Sequence, residues 1–563
     1  MKKRMLTVLT ALCMTAAPVC ATVPKVMQTA LTAYAVESGT FGDDLTWTLD
    51  DDGTLTISGT GEIYNYYPNE SPFSRQQGIK KIVIKPGVTG IGNNTFYNCP
   101  NLTAITIPDS VKHIGKSVFA CCPNLPSITV SAGNLDYISI DGIVYSTDRK
   151  TLIAYPGGKK GTFLIPDSVT SIWAGAFEGA ELLTEVTIPD SVTGIGERAF
   201  YQCKSLSPIT LPDSVTSIGE WAFGGCTSLT RVNIPESVTS MGRGAFEGCT
   251  NLSSVVIPGS LTIIEYRAFT DCTSLTEVTI PDGMKTIGGA AFEGCTNLSS
   301  ITIPDSVKSI VGKAFRNCTS LTEVTIPNHV TNVGTSAFEG CTNLRSISIS
   351  NDAIAVSDNL FKDCTSLTSV TIPDSVIRVG EHAFEGCTSL TGVTIPDSVV
   401  SIEWRAFYEC KNLTSVTILN PKCEIKNDKS NFCNSNNDKE YPFAGTIYGY
   451  PDSTAQAYAE KYGRTFIALD STTTPPTKPT PQIEAYSTGD VTGDSIINAK
   501  DANFVLIAAA KLGTGYGSGL TSEADKAADV NGDSTINAKD ASVILRYAAA
   551  VGTGKATKIT GYI

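Results

Sequence analysis

Over more than half of the chain, apolar and polar positions follow one 23-residue pattern. A clear copy runs from Thr227 to Cys249. In it Leu229, Val232 and Ile234 carry the Leu-x-x-Leu-x-Leu spacing of a short strand with one buried face. Pro235 then ends that strand, because proline brings no N–H to a ladder. Val238 to Met241 reads as a second short extended piece, and Gly242 as the residue that turns the chain. Ala245, Phe246 and Cys249 follow as a compact helical or irregular corner. The marker phenylalanine recurs every 23 residues at Phe177, Phe200, Phe223, Phe246, Phe269, Phe292, Phe315, Phe338, Phe361, Phe384 and Phe407, and Phe96 and Phe119 form a further pair at that spacing. A fixed period of this length predicts a repeat solenoid with a parallel β-sheet of short strands, each turn covered by its neighbours. At about 4.8 Å per strand, the thirteen copies make a curved rod on the order of 60 Å long.

Departures from the pattern divide the chain. Residues 36–84 lack the repeat, and Leu45–Leu49 and Thr54–Ser58 alternate around Asp51-Asp52-Gly53 as a hairpin, which predicts an N-terminal β cap. The repeats span 85–418, with an insert at 124–160. There Asp141-Gly142 suits a tight turn between two short strands, and the insert is expected to project from the stack as a hairpin. The turn at Ile349-Ser350-Asn351 lacks the proline, so a bend is expected there. Residues 419–440 read as a surface loop, and 446–462 as strand, capped helix and turn, so that 419–469 forms a C-terminal cap. A Pro/Thr linker at 470–486, a segment at 487–554 and a tail at 555–563 complete the chain.

Charge adds one exclusion. With 42 basic and 55 acidic residues the net charge is −13, and no basic patch suggests nucleic acid. Much of the excess comes from Asp190, Asp213, Glu236, Asp282, Asp305, Asp374 and Asp397, which read as solvated turn residues. At the start, Lys2, Lys3 and Arg4 precede an apolar run from Met5 to Val19 that is too short to span a bilayer, so residues 1–35 read as an export signal. Two cleavage sites compete, after Ala21 and after Ala35, and the second lies directly before recognisable domain sequence. No later apolar run is long enough to cross a membrane.

Cysteine placement bears on packing. Of 17 cysteines, twelve sit three residues after a marker phenylalanine, and Ala180 holds that position in one turn. A small apolar substitute favours buried thiols over a disulfide ladder or a metal row. Cys423 and Cys433 lie outside the ladder and suit one local disulfide.

Three motifs carry a resemblance. These are the Ile-Pro-Asp-Ser-Val turn (188–192, 303–307, 395–399), the following Ile-Gly, and Ala-Phe-Glu-Gly-Cys (245–249, 291–295, 383–387). The unit resembles the BspA-like leucine-rich repeat family of bacterial surface proteins over about 37–469. That resemblance implies cell-surface display and binding or adhesion, with no shared site to transfer.

Past the linker the chemistry changes. Asp490 to Asp501 and Asp529 to Asp540 are matched 12-residue loops that present oxygen atoms at alternate positions, as Ca²⁺ requires. The first set is Asp490, Thr492, Asp494, the Ile496 carbonyl, Asn498 (directly or through a water) and Asp501. The second is Asp529, Asn531, Asp533, the Thr535 carbonyl, Asn537 and Asp540. Asn498 and Asn537 also suit the N-caps of following helices. Two Asp-rich turns without metal are the alternative, and the matched pair of loops, each followed by an apolar helix, favours two Ca²⁺. Thr492, a poorer ligand than Asn531, makes the first site the weaker. The pair resembles a dockerin, a small all-α calcium-binding module that plugs into the cohesin domains of a scaffoldin. By that resemblance the cohesin contacts are Ala499, Lys500, Leu506 and Ile507, with Ala538, Lys539, Leu545 and Arg546 in the second copy. Simple core packing is the competing reading of Leu506 and Leu545.

Three functions are compatible with this layout. The first is a non-catalytic, extracellular, cellulosome- or cell-surface-associated protein whose solenoid binds a protein or cell surface. The second is polysaccharide binding by the solenoid, for which Trp173, Trp221, Tyr266 and Trp404 are the candidate aromatics, though their registers differ. A hydrolase or a peptidase inhibitor is the remote third. Three histidines, His113, His329 and His382, supply no nucleophile motif, and no segment is large enough for a catalytic domain.

Overall fold

The computed structural model, which describes residues 37–41, 44–434, 442–469 and 544, builds each 23-residue unit into a turn with three hydrogen-bonded sides. The chain divides into two units, 1–468 and 469–563, and almost all described residues belong to the first. One side is a parallel ladder in which Glu277–Thr279 pairs with Ser254–Val256, one turn earlier, with Val255 and Val278 facing inward. A second ladder stacks two-residue strands such as Thr286–Ile287 on Ile263–Ile264. The strands are brief because proline ends the first and a corner follows the second.

The corner itself is the third ladder. In each turn the residues two before and two after the phenylalanine adopt positive φ, as at Arg198 (54°) and Gln202 (59°), or Trp221 (49°) and Gly225 (70°). This alternation aims three successive odd-position N–H groups along the stack. Gly244, Phe246 and Gly248 donate to the carbonyls of Tyr266, Ala268 and Thr270 in the next turn at 2.8–2.9 Å. The glycine of the Ile-Gly pair, expected to turn the chain, does something else. Gly242 is not among the positive-φ glycines, and a Cβ there would lie 2.4 Å from the Glu220 backbone nitrogen. In this turn the neighbouring backbone leaves no room for a side chain, although Val311 and Glu403 hold the same position in other turns.

Inside, the phenylalanine rings form a column. From Phe177 to Phe407 successive centroids lie 4.7–6.2 Å apart, with planes within 28° of parallel. The column is longer than the sequence period suggests. Phe73 precedes Phe96, Tyr155 precedes Phe177 and Phe432 follows Phe407. Edge-on rings close both ends: Phe41 and Trp47 against Phe73, and Tyr458 against Phe432. Such T-shaped contacts satisfy the exposed face of a terminal ring.

Antiparallel strands Glu37–Phe41, Leu45–Leu49 and Thr54–Gly59 open the described chain, and Thr54–Gly59 then pairs in parallel with Lys81–Ile84. Turn geometry begins at Gly61–Glu62, which pairs with Val88–Ile91. At the other end Phe432 lies within the stretch expected to be a surface loop, with Ser430 and Asn431 also buried. The helix Thr454–Tyr462 is capped by Ser453, whose side chain accepts from the Gln456 N–H, and ends at Gly463 in the left-handed region. Strand Thr465–Ala468 is the last described strand of the solenoid.

The insert does not project. Tyr137–Ile140, Ile143–Ser146 and Thr151–Ala154 form an antiparallel meander whose last strand pairs in parallel with Ser171–Ile172. Asp141 and Gly142 both take positive φ in its tight turn. The physical reason for its burial is composition: Ile143, Val144, Tyr145, Leu152, Ile153 and Tyr155 are all core residues. The phenylalanine column breaks here, and the apolar core separates into two clusters joined by half-buried Trp173. Where the proline is missing, Ile349 stays buried, while the Phe338–Phe361 centroids stand 6.2 Å apart, the widest step of the main column. The Ser357 hydroxyl donates there to the Val333 carbonyl, the place that the Gly380 N–H takes in the next turn with Val356.

Candidate functional site

The repeated polar residues are mostly consumed by the stack. In four Pro-Asp-Ser turns the serine (Ser191, Ser214, Ser375 or Ser398) donates to a carbonyl of the preceding turn, as Ser214 to Val192 and Ser398 to Val376 at 2.7 Å, whereas the Ser110 and Ser306 hydroxyls are buried without a partner. Threonines after the ladder cysteines do the same, as Thr273 to Thr250 at 3.2 Å. Asp190, Asp213, Asp282, Asp305, Asp374 and Asp397 remain exposed.

The ladder cysteines are buried thiols. Each donates its Sγ–H to the carbonyl of the phenylalanine one turn back at 3.1–3.4 Å, from Cys99 to Cys410. Burial pushes Cys226 and Cys341 up to about 12, so the reactive thiolate is not available at neutral pH. Native protein treated with an alkylating reagent is therefore expected to leave the ladder unmodified, with full modification only in denaturant. Peptide mapping by mass spectrometry checks this, and rapid native labelling of any ladder cysteine contradicts it. The local disulfide expected between Cys423 and Cys433 is not made: Cys423 is a free thiol. Phe432 joins the column and brings Cys433 near Cys410 instead.

Edge aromatics prove heterogeneous. Trp173 packs against both core clusters. Trp221 donates from Nε1 to Glu247 at 3.0 Å and carries Arg243 over its ring at 4.5 Å. Tyr266 and Trp404 are more than half exposed but lie in separate turns. The His382 ring nitrogen contacts the Glu385 carboxylate and the His329 ring nitrogen the Asp352 carboxylate, side-chain contacts within the solenoid.

One charged knot is buried. At the broken column, the Glu178 side chain accepts from Arg198 Nη2 at 2.8 Å and Nε at 3.0 Å, and from Ser117 Oγ at 2.6 Å. Burial raises the Glu178 carboxyl above its ordinary value, opposed by Arg198, Ser117 and Tyr97. Burial alone would lower Arg198, and the Glu178 carboxylate together with Tyr97 and Tyr201 more than reverses that. The knot holds the turn of Ser117 against the turns of Glu178 and Arg198 across the insert. Backbone bonds from Ser117 N–H to Ala174 and from Cys121 N–H to Glu178 support it. Sequence reading did not find it, because Glu178 looks like any other Phe-Glu-Gly glutamate.

All twelve calcium-loop residues (Asp490, Thr492, Asp494, Ile496, Asn498, Asp501, Asp529, Asn531, Asp533, Thr535, Asn537, Asp540) lie outside the described residues. So do the eight cohesin-contact positions and the export segment 1–35. Ile544, the one described residue of this stretch, is helical and buried. Among the described residues no cluster of His, Cys, Asp and Glu is arranged to hold a metal, and no helix is long and apolar enough to cross a membrane.

Comparison with known proteins covers both halves of the chain. The model of the BspA type leucine rich repeat region matches residues 68–149, 159–276, 264–364 and 354–453. The dockerin type I domain model matches 488–548. Among solved structures, a leucine-rich repeat protein from Bacteroides ovatus is 27% identical, covers 76% of this chain and 99% of its own, and superposes with a TM-score of 0.51. A leucine-rich repeat protein from Eubacterium ventriosum is 25% identical, covering 54% of this chain and 95% of its own, with a TM-score of 0.37. A leucine rich cell surface protein from Faecalibacterium prausnitzii is 26% identical, covering 70% and 96%, with a TM-score of 0.37. No curated protein matches the chain.

Proposed function

Because this chain belongs to the BspA-type leucine-rich repeat family and carries a dockerin type I domain, we propose that it is a non-catalytic, extracellular binding protein held on a scaffoldin. The observation that carries this reading is the dockerin match over 488–548, which spans both Asp-rich loops. Two Ca²⁺ ions would be held by the carboxylates, amides and carbonyls of those loops and would fix the helices that follow. Ala499, Lys500, Leu506 and Ile507, with Ala538, Lys539, Leu545 and Arg546, would then face a cohesin. The solenoid is the free module, and its exposed strand faces and edges suit a protein or cell-surface ligand. Repeat scaffolds host many ligands, so the fold does not name one.

The test is capture of the full chain by immobilised cohesins from a panel of scaffoldins. Capture is expected in millimolar calcium and lost on chelation. Asp529→Ala is expected to weaken it more than Asp490→Ala, since the second loop has the better ligand set. No capture by any cohesin, or capture indifferent to chelation, would sink the reading. A polysaccharide reading of the solenoid gains nothing from a regular aromatic stripe, since Tyr266 and Trp404 stand alone. It requires a discrete site.

A further inference from the structure

Such a site exists where the insert interrupts the stack. A cleft of about 430 Å³ opens there, lined from four stretches of chain that the turns bring together: Asn65–Pro68, Asn93 and Asn94, Lys116 and Ser117, and Glu197 and Arg198. That volume is in the range of small-ligand sites. The cleft has an evident origin in the sequence. The third and second positions before the marker residue are Asn93-Asn94, Lys116-Ser117, Glu197-Arg198 and Glu220-Trp221 in neighbouring turns, but Ala174-Gly175 in the turn between Lys116 and Glu197. Only a methyl group stands at that level, and the Lys116 ammonium reaches across to Glu197 Oε2 at 2.8 Å. Gly175 cannot gain a side chain, since its φ is +68° and a Cβ would meet Ser117 Oγ at 2.1 Å.

The wall is fixed before any ligand arrives. Tyr66 N–H donates to the Asn93 carbonyl at 2.9 Å, and Asn94 Nδ2 to the Tyr66 carbonyl at 2.8 Å. Asn65 Oδ1 accepts from Asn93 N–H at 2.7 Å, and Asn93 Oδ1 from Lys116 N–H at 2.8 Å. These bonds orient both amides and leave Asn65 Nδ2 and Asn93 Nδ2 as donors to the cleft. Arg198 spends Nε and Nη2 on Glu178, leaving Nη1, and Glu197 spends Oε2 on Lys116, leaving Oε1. Beside them Tyr67 holds its ring 76% exposed.

We propose that this cleft binds a segment of a neutral oligosaccharide. Its two cations are already paired with Glu197 and Glu178, so it offers no net charge to an anionic ligand. What remains is a set of separate donors and one acceptor at fixed positions, the complement of ring hydroxyls, next to an aromatic face on which the apolar side of a sugar stacks. The open, polar, charge-balanced character fits a glycan chain better than an apolar peptide anchor. This inference rests on the solenoid as a binding module and is independent of the dockerin.

The test is calorimetric titration of the full chain with cellohexaose, xylohexaose and mannohexaose, and with hexagalacturonate as the acidic arm, in calcium and in chelator. Saturable binding of at least one neutral hexasaccharide is expected, unchanged by chelation. Tyr67→Ala should weaken it at least tenfold, Tyr67→Phe less than threefold, and Trp404→Ala not at all. Tyr67 is exposed, so an unchanged thermal transition will show that the variant is folded. Absence of neutral-sugar binding, preference for hexagalacturonate, or an affinity indifferent to Tyr67→Ala would each overturn the proposal. Loss of cohesin capture alone would not touch it.

Discussion

Phe292→Ala is expected to destabilise the solenoid by about 3–5 kcal/mol, the range for deleting a buried phenylalanine ring. The ring is fully buried and sits 5.5 Å from Phe269 and 5.6 Å from Phe315, with planes 6° and 7° from parallel. Its removal forfeits the transfer energy, leaves a void between two rings, and breaks two stacked contacts worth about 0.5–1.5 kcal/mol each beyond area. The site cannot collapse to fill the void. The Phe292 N–H is tied to the Ala314 carbonyl and its own carbonyl accepts the Cys318 thiol, so the backbone around it is pinned to the next turn. Phe119 supplies the comparison. It stacks on Phe96 alone, because the column breaks at the insert, and Phe119→Ala is expected to cost less. Urea unfolding followed by circular dichroism measures both. Because turns are stabilised by their neighbours, Phe292→Ala should also split the single transition into two, as the weakened interface uncouples the turns on either side. Equal losses for the two variants would show that the column contributes ring burial and no stacking.

What was legible in the sequence is what the period repeats. Phe246 and Cys249 recur unchanged, so their burial could be read from spacing, and Ala180 alone pointed to thiols that pack. Features that serve the stack without repeating in identity were not legible. Phe73 keeps the 23-residue step to Phe96, but its turn has Gln76 where twelve of the thirteen marker turns have cysteine. Tyr155 and Phe432 fall off the period and yet complete the column, since ring packing selects position in space and not chain count. The left-handed positions flanking each phenylalanine are held by residues as different as Arg198, Trp221 and Lys313. No composition rule flags them, because the ladder N–H bonds compensate a backbone state that those side chains alone disfavour. The insert was misplaced for a related reason. Its Asp-Gly turn was visible, but the apolar residues on both sides of that turn belong to the core and draw the hairpin in. The cleft between Tyr67 and Arg198 gathers residues from across that insert, so no local motif announces it. The calcium loops are the opposite case. Their ligands are contiguous, and contiguity is what makes a chemical motif readable from sequence.

The knot beneath the cleft yields the second large effect. Arg198→Ala is expected to cost about 3–5 kcal/mol at neutral pH, because it leaves the Glu178 carboxylate buried without its cation. Glu178 is 3% exposed, and only the neutral hydroxyls of Ser117 and Tyr97 then remain to donate to it. The pH dependence distinguishes this from a simple loss of packing. Burial already raises the Glu178 carboxyl in the folded state, and removing Arg198 removes the charge that most opposes the rise. A carboxyl whose folded value lies above its unfolded value binds more protons in the native state, so its destabilisation grows as pH rises through that interval. The deficit of Arg198→Ala should therefore be largest at pH 7 and shrink toward pH 4, below the ordinary carboxyl value of 4.5, where Glu178 is mostly protonated in both states. Adding Glu178→Gln to Arg198→Ala should restore most of the stability at pH 7 and flatten the profile, because a neutral amide keeps a hydrogen bond with Ser117 and leaves no charge unpaired. Guanidinium unfolding of the three proteins at pH 4 and pH 7 reads the difference. A deficit of equal size at both pH values, or no rescue by the double variant, would mean that Arg198 acts through its packing over Tyr201, whose ring its guanidinium covers at 4.1 Å, and not through Glu178.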